Sequence, residues 1–136
     1  MDVDSGQGND AHETDGRFRS GRWTGYWEQD GRRARMRLEL TFAGGRIVGD
    51  GRDVVGDFVI SGAYDRQTGV CTMQKTYLGQ HDVDYDGTAA ADGIRGIWRI
   101  FLAGGLIDDA GTFHIWPVSD DESVSESVEE QVAAPV

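Results

Sequence analysis

Polar and apolar residues alternate along much of the chain. In the segment RMRLELTF, charged or hydroxyl side chains alternate with apolar ones at Met36, Leu38, Leu40 and Phe42. A period of two places successive side chains on opposite faces of a β-strand, so that one face is buried and the other meets solvent. The segment therefore predicts a half-buried strand, and the AGG that follows predicts the turn that ends it.

The same alternation recurs in short segments that are separated by turn residues. Strands are predicted near residues 21–28, 34–43, 46–51, 57–64, 70–78, 81–89, 94–102 and 111–117. No segment has a helical period long enough for a crossover helix, so sequential strands are expected to pair antiparallel. This pattern predicts an all-β fold, an eight-stranded antiparallel up-and-down barrel, because closure removes exposed strand edges. A sandwich of seven or eight strands is the alternative.

The charge of the chain is concentrated at its two ends. The formal net charge is −11, from 24 acidic and 13 basic residues. Five acids precede residue 17 and six follow residue 118, so the segment between them is formally neutral. Both flanks lack the apolar residues that offset the entropy cost of ordering. We therefore expect disordered acidic tails at residues 1–16 and 119–136, on either side of a β-barrel domain at residues 17–118.

Composition also indicates which partners and which cellular location are expected. Acidic tails repel phosphate backbones, which argues against a nucleic-acid partner. The N-terminal residues have no basic start and no apolar stretch, and no segment is long enough to cross a bilayer, so we expect a cytoplasmic protein without a membrane partner. The single Cys71 excludes an internal disulfide, and neither a metal-ligand cluster nor a phosphate-binding loop is present, so no metal or cofactor is expected. Homo-oligomerisation stays open.

Several motifs resemble those of calycin barrels. The segment GRWTGYW places Gly21 and Trp23 in a Gly-x-Trp opening, and Arg99 lies on a late strand, as does the Arg that covers this Trp in lipocalins. The order of GGRIVGDG, ISGAYDRQTG and IRGIW is similar to the avidin and streptavidin branch. The resemblance implies a closed barrel with Trp23 at one end beneath the Arg99 guanidinium. It also implies ligand-facing aromatic rings at Tyr85 and Trp98.

The groups by which avidins recognise biotin do not carry over to this chain. Avidins follow the opening Trp with a Tyr-Asn pair whose Asn binds the ureido oxygen, whereas this chain has Thr24 and Gly25. Asp108 or Asp109 corresponds to the late Asp of that family. The resemblance therefore implies a partial ligand wall and a ligand other than biotin.

The hairpin KTYLGQHDVDYDG contains the only lysine of the chain. If its loop holds two residues, Lys75 opposes Asp84 and Gln74 opposes Tyr85, so that Lys75 faces solvent and Gln74 faces the barrel interior. A loop with an odd number of residues shifts the pairing by one and turns Lys75 inward. We expect Lys75 outside, since isolated charges avoid an enclosed interior.

No catalytic, ligand-binding or metal-binding role is predicted for the histidines and aspartates considered next. His81 is assigned to a solvated turn, and His114, between Phe113 and Ile115, is assigned to the outer surface. Asp53 and Asp57 are assigned to a mobile, solvated loop at the mouth of the barrel. No spacing of nucleophile and base is found, so no residue is assigned a catalytic role.

A ligand site is predicted where flat aromatic surface meets a few hydrogen-bonding groups at one mouth of the barrel. Its predicted residues are Trp27, Gln74, Thr76, Tyr85 and Trp98. The function predicted from these residues is a small-molecule-binding barrel with a partly filled interior. The alternatives are a non-catalytic interaction module with a filled barrel, or an enzyme that uses interior Tyr, Lys or His side chains.

Overall fold

The eight predicted strands are present and form one closed barrel. A computed structural model of the chain describes residues 13–119. The strands are β1 (Gly21–Gln29), β2 (Arg32–Ala43), β3 (Arg46–Asp53), β4 (Asp57–Tyr64), β5 (Val70–Tyr77), β6 (Asp82–Ala90), β7 (Gly93–Phe101) and β8 (Ile107–Pro117). Each strand pairs antiparallel with the next, and β1 pairs with β8. The predicted up-and-down barrel is confirmed, and the sandwich alternative is wrong.

Alternation along each strand builds the interior of the barrel. In β2 the inward side chains are almost completely buried, at Met36, Leu38, Leu40 and Phe42. In β3 the inward face carries glycine, and a Cβ at Gly51 would lie 2.6 Å from ring atoms of Phe58. Glycine at this position therefore makes room for an aromatic ring from the neighbouring strand.

The two ends of the barrel differ. At one end, which we call the closed end, Phe18 lies across the interior, and its ring centroid is 4.5 Å from that of Tyr64 and 5.8 Å from that of Phe42. Trp23 packs against Phe42 at the same end, with the centroids 5.5 Å apart. The opposite end, which we call the open end, carries the β1–β2, β3–β4, β5–β6 and β7–β8 turns.

The expected contact between Arg99 and Trp23 is wrong. Arg99 lies on the outer face, where its guanidinium is 2.8 Å from Asp86, and the Trp23 indole instead donates to the carbonyl of Arg19 at 2.6 Å. Trp98 is 3% exposed and points inward, so the next residue on the strand must point outward. Arg99 also lies towards the open end of β7, far along the barrel from Trp23.

The expected register of the β5–β6 hairpin is also wrong. Lys75 pairs with Val83 and not with Asp84, because residues 78–80 form a three-residue connection between Tyr77 and His81. Gly79 adopts a φ of 76° in this turn, a conformation that glycine adopts at little cost. The odd count shifts the pairing by one residue and reverses the faces of β5, so that Lys75 points inward.

The residues just before the barrel contact it. Glu13 accepts a hydrogen bond from the Tyr64 hydroxyl and lies 3.7 Å from Arg66. The backbone carbonyl of Asp15 accepts a hydrogen bond from the Phe18 amide at 2.9 Å. Both acids precede the boundary predicted at residue 17. The remainder of the predicted tails, residues 1–12 and 120–136, lies outside the described residues. Within residues 13–119, no helix has the length and apolar composition needed to cross a bilayer.

Candidate ligand pocket at the open end

A buried ion pair lies at the base of the open end. The Lys75 ammonium, on β5, is 2.6 Å from Oδ2 of Asp53 at the end of β3. The two side chains are 1% and 0% exposed, respectively. Asp53 reaches the interior because it follows Ile47, Gly49 and Gly51 on the inward face of β3. The alternation of β3 therefore places the Asp53 carboxylate next to the buried Lys75 ammonium, where it serves as the counter-charge.

Asp53 is hydrogen-bonded through both of its oxygens. Its Oδ2 also accepts the Tyr77 hydroxyl at 2.6 Å and the Trp27 indole N–H at 3.1 Å. Its Oδ1 accepts the backbone amides of Val55 at 2.9 Å and Gly56 at 3.4 Å. One carboxylate thus joins strands β1, β3 and β5 to the turn that follows β3.

The Lys75 ammonium is likewise enclosed. Besides Asp53 it donates to the Tyr85 hydroxyl at 3.2 Å and contacts Sδ of Met36 at 3.6 Å. Its nitrogen lies 4.3 Å from the ring centroid of Phe58 and 4.8 Å from that of Tyr77. An ammonium has three N–H groups, and these three partners account for them. Cation–π attraction to the surrounding rings adds to the stabilisation of the charge.

The protonation states follow from burial and from this pairing. Burial lowers the pKa of Lys75 to about 8, although the Asp53 carboxylate opposes that change. Burial alone would raise the pKa of Asp53, but the nearby Lys75 charge and the hydrogen bonds of Lys75 and Tyr77 hold it below its ordinary value. Burial, followed by the Asp53 carboxylate, raises the pKa of Tyr77 and of Tyr85. At neutral pH the cluster therefore holds an ammonium, a carboxylate and two protonated phenols.

A pocket of about 320 Å³ lies above this cluster at the open end. Its flat walls are the aromatic side chains of Trp27, Tyr77, Tyr85 and Trp98. Trp27 and Trp98 meet edge to face with their centroids 6.0 Å apart, and the Trp98 indole N–H donates to the carbonyl of Glu28 at 3.0 Å. These contacts hold the two indoles in place, so the pocket has rigid aromatic walls.

Polar side chains occupy the rim of the pocket. They are contributed by β1, by the β5–β6 turn and by the start of β8, at Gln29, His81, Asp108 and Asp109. Gln29 donates to Asp109 at 2.6 Å, which ties β1 to β8 across the barrel seam. Neither arginine nor lysine is among the lining residues, so the rim carries acidic charge.

The predicted ligand residues are divided between the two faces of the wall. Trp27, Tyr85 and Trp98 lie together in the pocket. Gln74 and Thr76 lie on the outward face of β5, because the register differs by one residue from the expected one. Their assignment to the interior is wrong, and the binding role of the three aromatic residues stays a prediction.

The inward location of Asp53 and Tyr77 was missed. The prediction that Asp53 lies in a solvated loop is wrong, because its side chain is completely buried. The alternation of the segment RIVGDGRD contained a signal for it, since Asp53 has the same parity as the buried Ile47. Tyr77 lies on the inward face of β5 because the register of β5 differs by one residue from the expected register. Asp57 is exposed as expected and pairs with Arg52 at 2.7 Å.

The expectation for His114 is confirmed. Phe113 and Ile115 are buried, and His114 lies on the outer face, where its Nε2 is 2.8 Å from the carbonyl of Asp92.

Comparisons with protein-family models, with curated proteins and with solved structures found no match to this chain.

Proposed function

We propose that this protein is a small-molecule-binding barrel whose ligand occupies the pocket at the open end. The observation that carries this proposal is the pocket of about 320 Å³ with four aromatic walls. Binding sites for small molecules are typically concave, largely apolar and equipped with a few oriented polar groups. The closed end is filled by packed aromatic rings, so the pocket opens at one end only.

The pocket favours a small, flat and uncharged or weakly polar ligand. Its volume lies at the lower end of the range for ligand sites, which is roughly 300–1,000 Å³. The indoles of Trp27 and Trp98 and the phenols of Tyr77 and Tyr85 offer planar surface, which suits an aromatic ring. Acidic Asp108 and Asp109 disfavour an anion at the rim.

The contacts of Lys75 favour binding over the catalytic alternative. A nucleophilic lysine needs a neutral amine that a substrate can approach. Lys75 is 1% exposed and ion-paired with Asp53, and its remaining N–H groups point at Tyr85 and Met36. These contacts suit a group that holds the aromatic walls in position.

The interaction module stays as a second candidate because the rim carries exposed apolar side chains. Val54 is 73% exposed, Leu78 59% and Leu106 70%, and all three lie in turns at the open end. Exposed apolar surface of this kind is found at sites of protein association. A partner that covers the open end would bind whether or not the pocket is occupied.

The test uses a variant that fills the pocket and a matched variant on the other side of the same strand. Ile100→Trp places an indole in the pocket, whereas Ile97→Trp places one on the outer face of β7, where Ile97 is 42% exposed. Binding of a panel of planar bicyclic compounds is measured by ligand-observed NMR. We expect Ile100→Trp to abolish binding and Ile97→Trp to leave it unchanged.

Native mass spectrometry of the protein purified from its own host complements the panel. A copurified small molecule that is lost in Ile100→Trp supports the proposal. The small-molecule proposal fails if no compound copurifies and no member of the panel binds, and the interaction module then becomes the better explanation of the open end.

A further inference from the structure

One hydrogen-bond donor in the wall of the pocket is not used within the described chain. The Tyr85 hydroxyl oxygen accepts a hydrogen bond from Lys75 at 3.2 Å, but no described residue accepts the hydroxyl hydrogen. The other three aromatic walls have used their polar hydrogens: Trp27 and Tyr77 donate to Asp53, and Trp98 donates to a backbone carbonyl.

Leaving this donor without an acceptor is unfavourable, because Tyr85 is only 4% exposed. The Tyr85 oxygen has a partner in Lys75, but a hydroxyl can also donate, and that part of its hydrogen-bonding capacity is not used by the described residues. The hydroxyl hydrogen rotates about the C–O bond, while the ring is held against Phe113 with the centroids 4.7 Å apart. The donor is thus fixed in position and adjustable in direction.

The surroundings strengthen this donor. Lys75 donates into the Tyr85 oxygen, and hydrogen bonds arranged in a chain polarise one another, so the Tyr85 O–H becomes a better donor. Burial, together with the Asp53 carboxylate, raises the pKa of Tyr85 well above its ordinary value, so the hydroxyl keeps its proton at neutral pH.

We propose that the Tyr85 hydroxyl donates a hydrogen bond to a carbonyl oxygen at the inner end of a planar ligand, which rests on the proposed function of the pocket. An uncharged acceptor fits better than a carboxylate, since Asp108 and Asp109 lie at the rim and neither arginine nor lysine lines the pocket. At the inner end, beside Tyr85, a ligand donor is matched less well than a ligand acceptor, because the Tyr85 oxygen already accepts from Lys75 while its hydrogen has no described acceptor. The ligand class is a flat ketone, lactone or amide.

The test compares two probes that differ only in the carbonyl group, 1-indanone and indane. Dissociation constants are measured by NMR for the wild-type protein, for Tyr85→Phe and for the control Tyr26→Phe, whose ring lies on the outer face against His114. We expect the wild type and Tyr26→Phe to prefer 1-indanone by about tenfold, as a single hydrogen bond can provide. In Tyr85→Phe the preference should disappear while indane still binds.

An infrared measurement separates a direct hydrogen bond from an indirect structural effect. The carbonyl stretch of bound 1-indanone should lie at lower frequency in the wild type than in Tyr85→Phe. If indane binds but the wild type shows no preference, or if the preference survives in Tyr85→Phe, the role of Tyr85 is refuted and the binding pocket stands. If neither probe nor any compound of the panel binds, both proposals are refuted.

Discussion

Removing either charge of the buried ion pair should show how strongly the stability of the barrel depends on having both charges together. Asp53→Asn keeps the size of the side chain and an oxygen for the backbone amides, but leaves the Lys75 ammonium without a counter-charge. Lys75 is 1% exposed, so solvent cannot compensate. Removing one partner of a buried pair costs about 3–5 kcal/mol. For a folded unit of this size that loss lowers the melting temperature by more than about 10 °C.

Lys75→Met should cost less than Asp53→Asn. Asp53 then loses one donor but keeps the Tyr77 hydroxyl, the Trp27 indole and two backbone amides. The variant also removes a charge that burial disfavours. The pKa of Lys75 falls from 10.5 to about 8, which corresponds to about 3 kcal/mol against the ammonium form in the folded state.

The double variant should lose less stability than the two single variants combined, because it removes both charges together. We expect the difference to be about 2 kcal/mol, measured by urea unfolding with tryptophan fluorescence. Asp86→Asn serves as the control, since it breaks the outer pair with Arg99 and should cost no more than about 1 kcal/mol. Losses that add to within about 0.5 kcal/mol would refute the interdependence of Asp53 and Lys75.

Three further predictions concern other buried groups. The raised pKa of Tyr77 contributes stability that is present below the unfolded pKa of 10.0 and is lost as pH rises above it. Between pH 9 and 11 the free energy of unfolding of the wild type, measured in urea, should therefore fall by about 1.4 kcal/mol more than that of Tyr77→Phe. Equal losses in the two proteins would contradict this. Gly51→Ala should destabilise by about 1–3 kcal/mol, because its Cβ would clash with the Arg37 carbonyl oxygen and lie 2.6 Å from ring atoms of Phe58. Gly16→Ala, with nothing within 4 Å, should be neutral in the same assay. Burial raises the pKa of Cys71 to about 11, so the thiol should resist a disulfide reagent until urea unfolds the barrel, and rapid labelling of the native protein would show that it is accessible.

The strands could be predicted from the sequence because their alternation is local information. Closure could be predicted because a meander of eight strands removes its exposed edges by closing. Alternation in β2 and β6 determines which side chains are buried, and Val83 and Tyr85 lie inside as their spacing from the neighbouring aspartates indicates. Three of the five predicted pocket residues, Trp27, Tyr85 and Trp98, come together in the pocket for the same reason.

The faces of β5 were decided only by tertiary structure. Its sequence VCTMQKTY has a polar group on either face, so composition does not determine which one is buried. The length of the turn determines it, and a turn of three residues instead of two reverses every side chain of the strand.

The buried Lys75–Asp53 pair in the candidate site also could not be predicted from local sequence. A lysine in the interior is unfavourable when considered alone, and its stabilising partner, Asp53, lies 22 residues earlier in the chain. Only closure of the barrel brings the carboxylate, the ammonium and the Tyr85 hydroxyl within hydrogen-bond distance. Local sequence therefore determines the strands, whereas the environment of each buried polar group depends on contacts between strands that are distant in the chain.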